Sequence, residues 1–130
     1  MAGGIRSFED IIAWQKARIL AREIYRVTRK PAFARDFGLA SQIQRAAVSV
    51  MANIAEGFER RGTNEFDRFL LIAKASCAEV VSHLYIAWDV GYLTEAEFED
   101  LREKARETGR VVAGFRASLR TRNSELGTRN

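Results

Sequence analysis

The apolar repeat that begins at Phe66 is the tightest constraint on this chain. Phe66, Phe69, Leu70, Ala73, Cys77, Val80, Val81, Leu84, Ala87 and Trp88 recur at steps of three and four, which places them on one broad helix face. Other helices must cover such a face, and the flanking segments supply them. Upstream, Leu39, Ile43, Ala46, Ala47, Val50, Ile54, Gly57 and Phe58 form a second apolar side within residues 39–61. Downstream, Phe98, Leu101, Ala105, Thr108, Val112, Phe115 and Leu119 keep a strict three-four alternation suited to a bundle seam. A fourth pattern, from about Ser7 to Arg29, turns Trp14, Ala17, Leu20, Ala21, Ile24 and Thr28 to one face.

Breakers separate these patterns. Pro31 ends the first helix, and residues 31–38 read as a connection with Asp36 and Gly38. The second helix ends near Arg61-Gly62. Thr63 is the expected N-cap of the third, with Glu65 and Asp67 in its first turn, and Gly91 closes it. Thr94 and Glu97 match the S/T-x-x-E capping box, and Ser7 with Asp10 makes a weaker start signal. With no β-alternation, the chain reads as all-α, an antiparallel up-down-up-down four-helix bundle. Its 130 residues suffice for one unstapled core, expected over residues 7–120 between flexible ends at 1–6 and 121–130.

Two surfaces remain unexplained by that core. On the second helix Gln42, Arg45, Ser49, Asn53, Glu56 and Arg60 form a polar stripe bordered by apolar surface on both edges. Such a stripe suits a hydrogen-bonded network within the bundle or between subunits, because buried polar groups need partners. A ligand or nucleic-acid groove is the alternative. On the first helix Phe8, Ile11, Ile12 and Ile19 point away from the main face, and apolar area left over in this way marks an oligomer interface.

Charge is unevenly placed. The net charge is +4. Residues 1–60 carry ten basic against six acidic side chains, residues 61–100 three against eight, and residues 101–130 eight against three. Arg18, Arg22, Arg26 and Arg29, with Lys30, line one side of the first helix, and Arg102, Arg106, Arg110, Arg116 and Arg120 flank the seam of the last. If helices one and four are neighbours, the two stripes are expected to merge into one basic surface, reduced by the nearby Glu99, Glu103 and Glu107.

Catalytic constellations are missing. There is no Gly-rich phosphate loop, and the lone His83 has no partnered nucleophile. Cys77 sits on the central apolar face, as a buried inert thiol does. No Glu-x-x-His motif is present, so neither a metal nor another cofactor is expected. No apolar run of membrane-spanning length stands out, and one unpaired cysteine fits a reducing cytoplasm.

Linked motifs resemble one bacterial family. They are Phe8-Glu9-Asp10 leading into Ala13-Trp14-Gln15-Lys16-Ala17, Gly38-Leu39 with Ser41-Gln42-Ile43, and Arg45-Ala46-Ala47-Val48-Ser49. Ala52-Asn53-Ile54-Ala55-Glu56-Gly57, Glu65-Phe66 with Arg68-Phe69-Leu70, and Gly91-Tyr92-Leu93 continue the likeness, over about residues 7–93. The family is the four-helix-bundle family first described from intervening sequences in 23S ribosomal RNA genes. The resemblance implies an antiparallel bundle assembled as a homopentamer, with no catalytic activity assigned. It also implies kinship in fold with nucleic-acid-binding accessory proteins of diversity-generating retroelement reverse transcriptases. Met51 departs from a common proline, so a proline kink is not expected, and Ala75-Ser76 replaces a common Gly-Ser, which is expected to widen the local helix approach slightly.

The leading expectation is therefore a non-enzymatic, oligomeric, cytoplasmic protein that binds RNA or DNA. Arg18, Arg22, Arg26, Arg29, Lys30, Arg102, Arg106, Arg110 and Arg120 would contact phosphates with little base reading. The alternatives are an accessory subunit docking on a reverse transcriptase or another nucleic-acid enzyme, and a purely structural oligomer.

Overall fold

Helix starts and stops follow the punctuation closely. The computed structural model describes residues 4–125, with side chains through residue 121. A short 3-10 turn, Phe8–Asp10, leads into α1 (Ile12–Thr28), α2 (Pro31–Arg35), α3 (Phe37–Glu59), α4 (Thr63–Asp89) and α5 (Glu95–Glu125). The connection expected at residues 31–38 contains a helical turn of its own. Pro31 starts it at the position where a missing N–H costs nothing, and it buries Phe33. The N-cap of α4 is Gly62, one residue before the expected Thr63.

The Ser7–Asp10 start signal caps the 3-10 turn, not α1, whose N-cap is Ile11, whereas the signals at Thr94 and Gly91 behave as the sequence predicts. The Thr94 hydroxyl accepts the Glu97 N–H at 3.1 Å while the Glu97 carboxylate accepts the Thr94 N–H at 2.9 Å. Gly91 takes φ 88°, where a side chain would be strained, and Gly91 and Tyr92 donate their N–H groups back to Trp88 and Ala87. The corresponding position after α3 is Arg61, with φ 69°, a left-handed residue that is not glycine.

The four long helices close around a common interior. α1 packs on α3 and α5, and α4 packs on the same two helices. One apolar cluster includes Leu20, Ile24, Phe33, Ile43, Leu84, Phe98 and Leu101, and a second includes Ile11, Ala17, Val50, Ile54, Leu70 and Cys77. Met51 packs against both, filling the middle of an unbroken α3 with a flexible side chain. Ala75 is exposed on the outside of α4, while Ser76 meets α3. The exchange of Gly-Ser for Ala-Ser therefore adds no bulk at the α3–α4 contact. That contact is close further along, where Gly57 faces Phe66 and Phe69.

Four expectations change. α5 runs through Gly109 and Gly114 and on to Glu125, so residues 121–125 are helical; the rest of the expected tail, 126–130, lies outside the described residues. Of the expected flexible N-terminus, residues 1–3 lie outside the described residues. Ile5 packs against the second cluster, and Asp10 accepts the Arg6 N–H at 2.8 Å. Contrary to the reading of no membrane-length run, α4 is long and apolar enough to cross a membrane by length and composition. Its inner side supplies the bundle core through Leu70, Ala73, Val80, Leu84 and Ala87. Finally, Ile11 is only 1 % exposed and belongs to the core, and Phe8 is half-buried with its ring 5.2 Å from Trp14. The 3-10 turn bends the chain so that both side chains fold back onto α1, which removes them from the expected oligomer surface. Ile12 and Ile19 stay exposed.

Candidate nucleic-acid interface

The two arginine stripes lie on different sides of the bundle. Salt bridges occupy the seam between α1 and α5: Lys16 meets Glu107 at 3.0 Å, and Lys30 meets Glu97 at 2.7 Å. The α5 arginines turn toward α4 instead. Arg102 donates to the Tyr85 hydroxyl at 3.0 Å and lies over the Phe98 ring, and Arg116 forms a two-pronged pair with Asp67 at 2.8 and 3.1 Å. Arg106 and Arg110 line an α4–α5 groove, and Arg110 also bonds Glu103 at 2.7 Å. Arg120 is exposed on the last turns. The expected merged surface does not form, because the acidic flank of α5 faces α1 and its basic flank faces away.

What remains on α1 is a shorter stripe. Arg26 is held by Glu23 at 2.8 Å, and Lys30 belongs to the α5 capping box through Glu97. Arg18 lies over the Trp14 ring at 5.8 Å, which orients its guanidinium without neutralising it. Arg18, Arg22 and Arg29 are exposed, and among the described residues none has a carboxylate within salt-bridge distance. Their spacing of four and seven residues sets them along one side of the helix.

The polar stripe of α3 resolves into two parts. The Asn53 amide donates to the Ser49 carbonyl at 2.8 Å and to the Ser49 hydroxyl at 2.9 Å, and the buried Ser76 hydroxyl of α4 donates to Ser49 at 2.9 Å. This chain of bonds ties α3 to α4. The outer part is solvated: Gln42 and Arg45 are exposed, and Glu56 pairs with Arg60 at 3.0 Å while Arg60 covers the Phe69 ring.

Titratable groups carry structural signatures. The Arg116 guanidinium holds the Asp67 carboxyl below its ordinary range, and Lys30 does the same for Glu97. Burial pushes the Cys77 thiol up to about 12, far from a reactive thiolate. His83 faces Glu79 at 3.3 Å. Among the described residues no cluster of three His, Cys, Asp or Glu side chains is placed to hold a metal ion.

Sequence reasoning missed Lys74. It projects from the apolar run of α4 into the same groove as Arg106 and Arg110. A single lysine amid Leu71, Ile72, Ala73 and Ala75 was the available signal.

A family model described as 23S rRNA-intervening sequence protein matches residues 9–114. The chain belongs to the 23S rRNA-intervening sequence protein family. The family match extends past Gly91-Tyr92-Leu93, where the recognisable motifs end, and takes in most of α5. A crystal structure from Bacteroides thetaiotaomicron, described as a protein with unknown function from the S23 ribosomal protein family, has the same helical bundle. It is 20 % identical, covers 82 % of this chain and 96 % of its own, and superposes with a TM-score of 0.76. No curated protein matches the chain.

Proposed function

We propose that this is a non-enzymatic nucleic-acid-binding protein of the cytoplasm whose α1 arginines hold the backbone of RNA or DNA. The observation that carries the reading is the line of Arg18, Arg22 and Arg29, exposed and, among the described residues, without internal carboxylate partners beside well-paired neighbours. Guanidinium groups suit phosphate oxygens, and a stripe with no base-reading loop gives binding with little sequence preference. In this reading the helices run antiparallel, up-down-up-down, supported by pairing of early with late residues: Lys16 with Glu107, and Asp67 with Arg116. The chain works as a homo-oligomer, a pentamer by family resemblance, which repeats a modest stripe around one particle. Mobility-shift titration with a mixed-sequence duplex at low and moderate salt tests binding. Complexes at low salt that weaken steeply as salt rises are expected, and no complex at low salt refutes the reading.

A second reading is favoured by the uncovered apolar side of α4: an accessory subunit that docks on a nucleic-acid enzyme such as a reverse transcriptase. Charge reversal at Arg22 separates the two, because it abolishes nucleic-acid binding in the first and leaves protein capture intact in the second.

A further inference from the structure

The chain has three tyrosines, and two of them are engaged within the bundle. The Tyr85 hydroxyl accepts a bond from Arg102 at 3.0 Å and its ring stands edge-on to Phe98, while Tyr92 stacks on Phe33 and donates its hydroxyl to Asp36 at 2.8 Å. Tyr25 on α1 differs from both. It is 37 % exposed, and among the described residues its hydroxyl has no hydrogen-bond partner and no ring or guanidinium lies against its ring.

Its place on the helix gives that open ring a meaning. At 100° per residue, Arg18, Arg22, Tyr25 and Arg29 fall within an arc of about 60°, and all four are exposed. The ring thus stands inside the unpaired arginine stripe, about 4–5 Å along the axis from Arg22 and about 6 Å from Arg29. A protein surface that covered the ring would also have to bury three unpaired guanidinium groups, which is costly. A nucleic-acid strand supplies phosphates for the guanidinium groups and a base for the ring. In a duplex the base faces are already stacked on one another, whereas a single strand leaves them open to an aromatic side chain.

We infer that α1 takes single-stranded RNA or DNA in preference to duplex, with one base stacked on Tyr25 while Arg18, Arg22 and Arg29 hold the phosphates to either side of it. This rests on the nucleic-acid reading above and names its ligand class. Because every base has a face to stack, the selectivity is for strandedness and not for sequence. The higher charge density of a duplex works in the opposite direction, so a single-strand preference reports the ring and not the arginines.

Fluorescence anisotropy with short mixed-sequence oligonucleotides tests it: an RNA strand, a DNA strand and the DNA duplex of the same sequence, titrated with wild type, Tyr25→Leu and Tyr25→Phe at several salt concentrations. Both substitutions change one exposed side chain, and circular dichroism checks that helical content is kept. Wild type is expected to bind the strands more tightly than the duplex. Tyr25→Leu is expected to lose about 5–100-fold in single-strand affinity and to stay within about twofold on the duplex. Its slope of log K against log salt should not change, since a ring releases no counterions. Tyr25→Phe keeps the ring and should keep the affinity, and a loss in Tyr25→Leu confined to RNA or to DNA names the strand the site takes. A wild type that favours duplex, a Tyr25→Leu variant that binds strands normally or loses duplex equally, or a Tyr25→Phe variant as impaired as Tyr25→Leu overturns the stacking site alone. No binding of strand or duplex at low salt overturns the nucleic-acid reading together with it.

Discussion

Replacing Gly57 with alanine is expected to destabilise the protein, although alanine is the better helix former. In an open helix the exchange gains about 1 kcal/mol. Here the added Cβ would lie 2.7 Å from the Phe69 Cβ and 2.9 Å from a ring carbon of Phe66. The Phe66 ring can rotate away. The Phe69 Cβ cannot, because it is fixed to the α4 backbone, so α3 and α4 must separate by nearly 1 Å to restore an ordinary contact of about 3.6 Å. That movement disturbs the edge-on rings of Phe58, Phe66 and Phe115. Overpacking of this kind costs about 1–3 kcal/mol, which leaves a net loss of up to about 2 kcal/mol and lowers Tm by up to roughly 8 °C for a chain of this size. Gly114→Ala is the control, since nothing lies within 4 Å of its added Cβ and only the helix gain of about 1 kcal/mol remains. Thermal unfolding followed by circular dichroism at one protein concentration reads both signs. A Gly57→Ala variant that gains stability as Gly114→Ala does, or a Gly114→Ala variant equally damaged, would refute the close-approach argument.

Three further outcomes follow from the same structure. Asp67→Asn is expected to cost about 1–2 kcal/mol at neutral pH and to flatten the acid limb of the stability curve. The lowered pKa of Asp67 means its contribution is complete at neutral pH and is lost as pH falls through the carboxylate range, so urea titrations at neutral and acidic pH check it. Ser49→Ala leaves the buried Ser76 hydroxyl without its acceptor and removes one of the Asn53 bonds, with an expected loss of about 1–3 kcal/mol in urea unfolding. Arg61→Gly relieves the left-handed position after α3 and is expected to gain about 0.5–1 kcal/mol in the same assay.

The order and approximate bounds of the four long helices were legible because Pro31, Gly62, Gly91 and the Thr94–Glu97 box punctuate long three-four repeats, whereas the short α2 was read as a connection. The polar stripe was legible as a network, since Ser49 and Asn53 border the α4 contact, but its partner Ser76 lies on another helix and has no sequence signal of its own. Ile11 was misread because a straight helical projection ignores the 3-10 turn at Phe8–Asp10 that folds the chain back. The arginine stripes were visible as stripes. Which neighbour each would face depends on the rotation of α5 about its axis, and the ion pairs with Lys16 and Lys30 that fix it span 91 and 67 residues. Lys74 gained meaning only once α5 placed Arg106 and Arg110 across from it.

The most direct test of the central claim is the salt dependence of nucleic-acid affinity for wild type and for R18Q/R22Q/R29Q. Each phosphate contact contributes about 0.9 to the slope of log K against log salt on a duplex. The slope is therefore expected to shrink by roughly 2–3 for each subunit engaged, while R102Q/R120Q leaves it nearly unchanged. An unaltered slope in the α1 variant, or a larger loss in the α5 variant, would contradict the assignment of the nucleic-acid surface to α1.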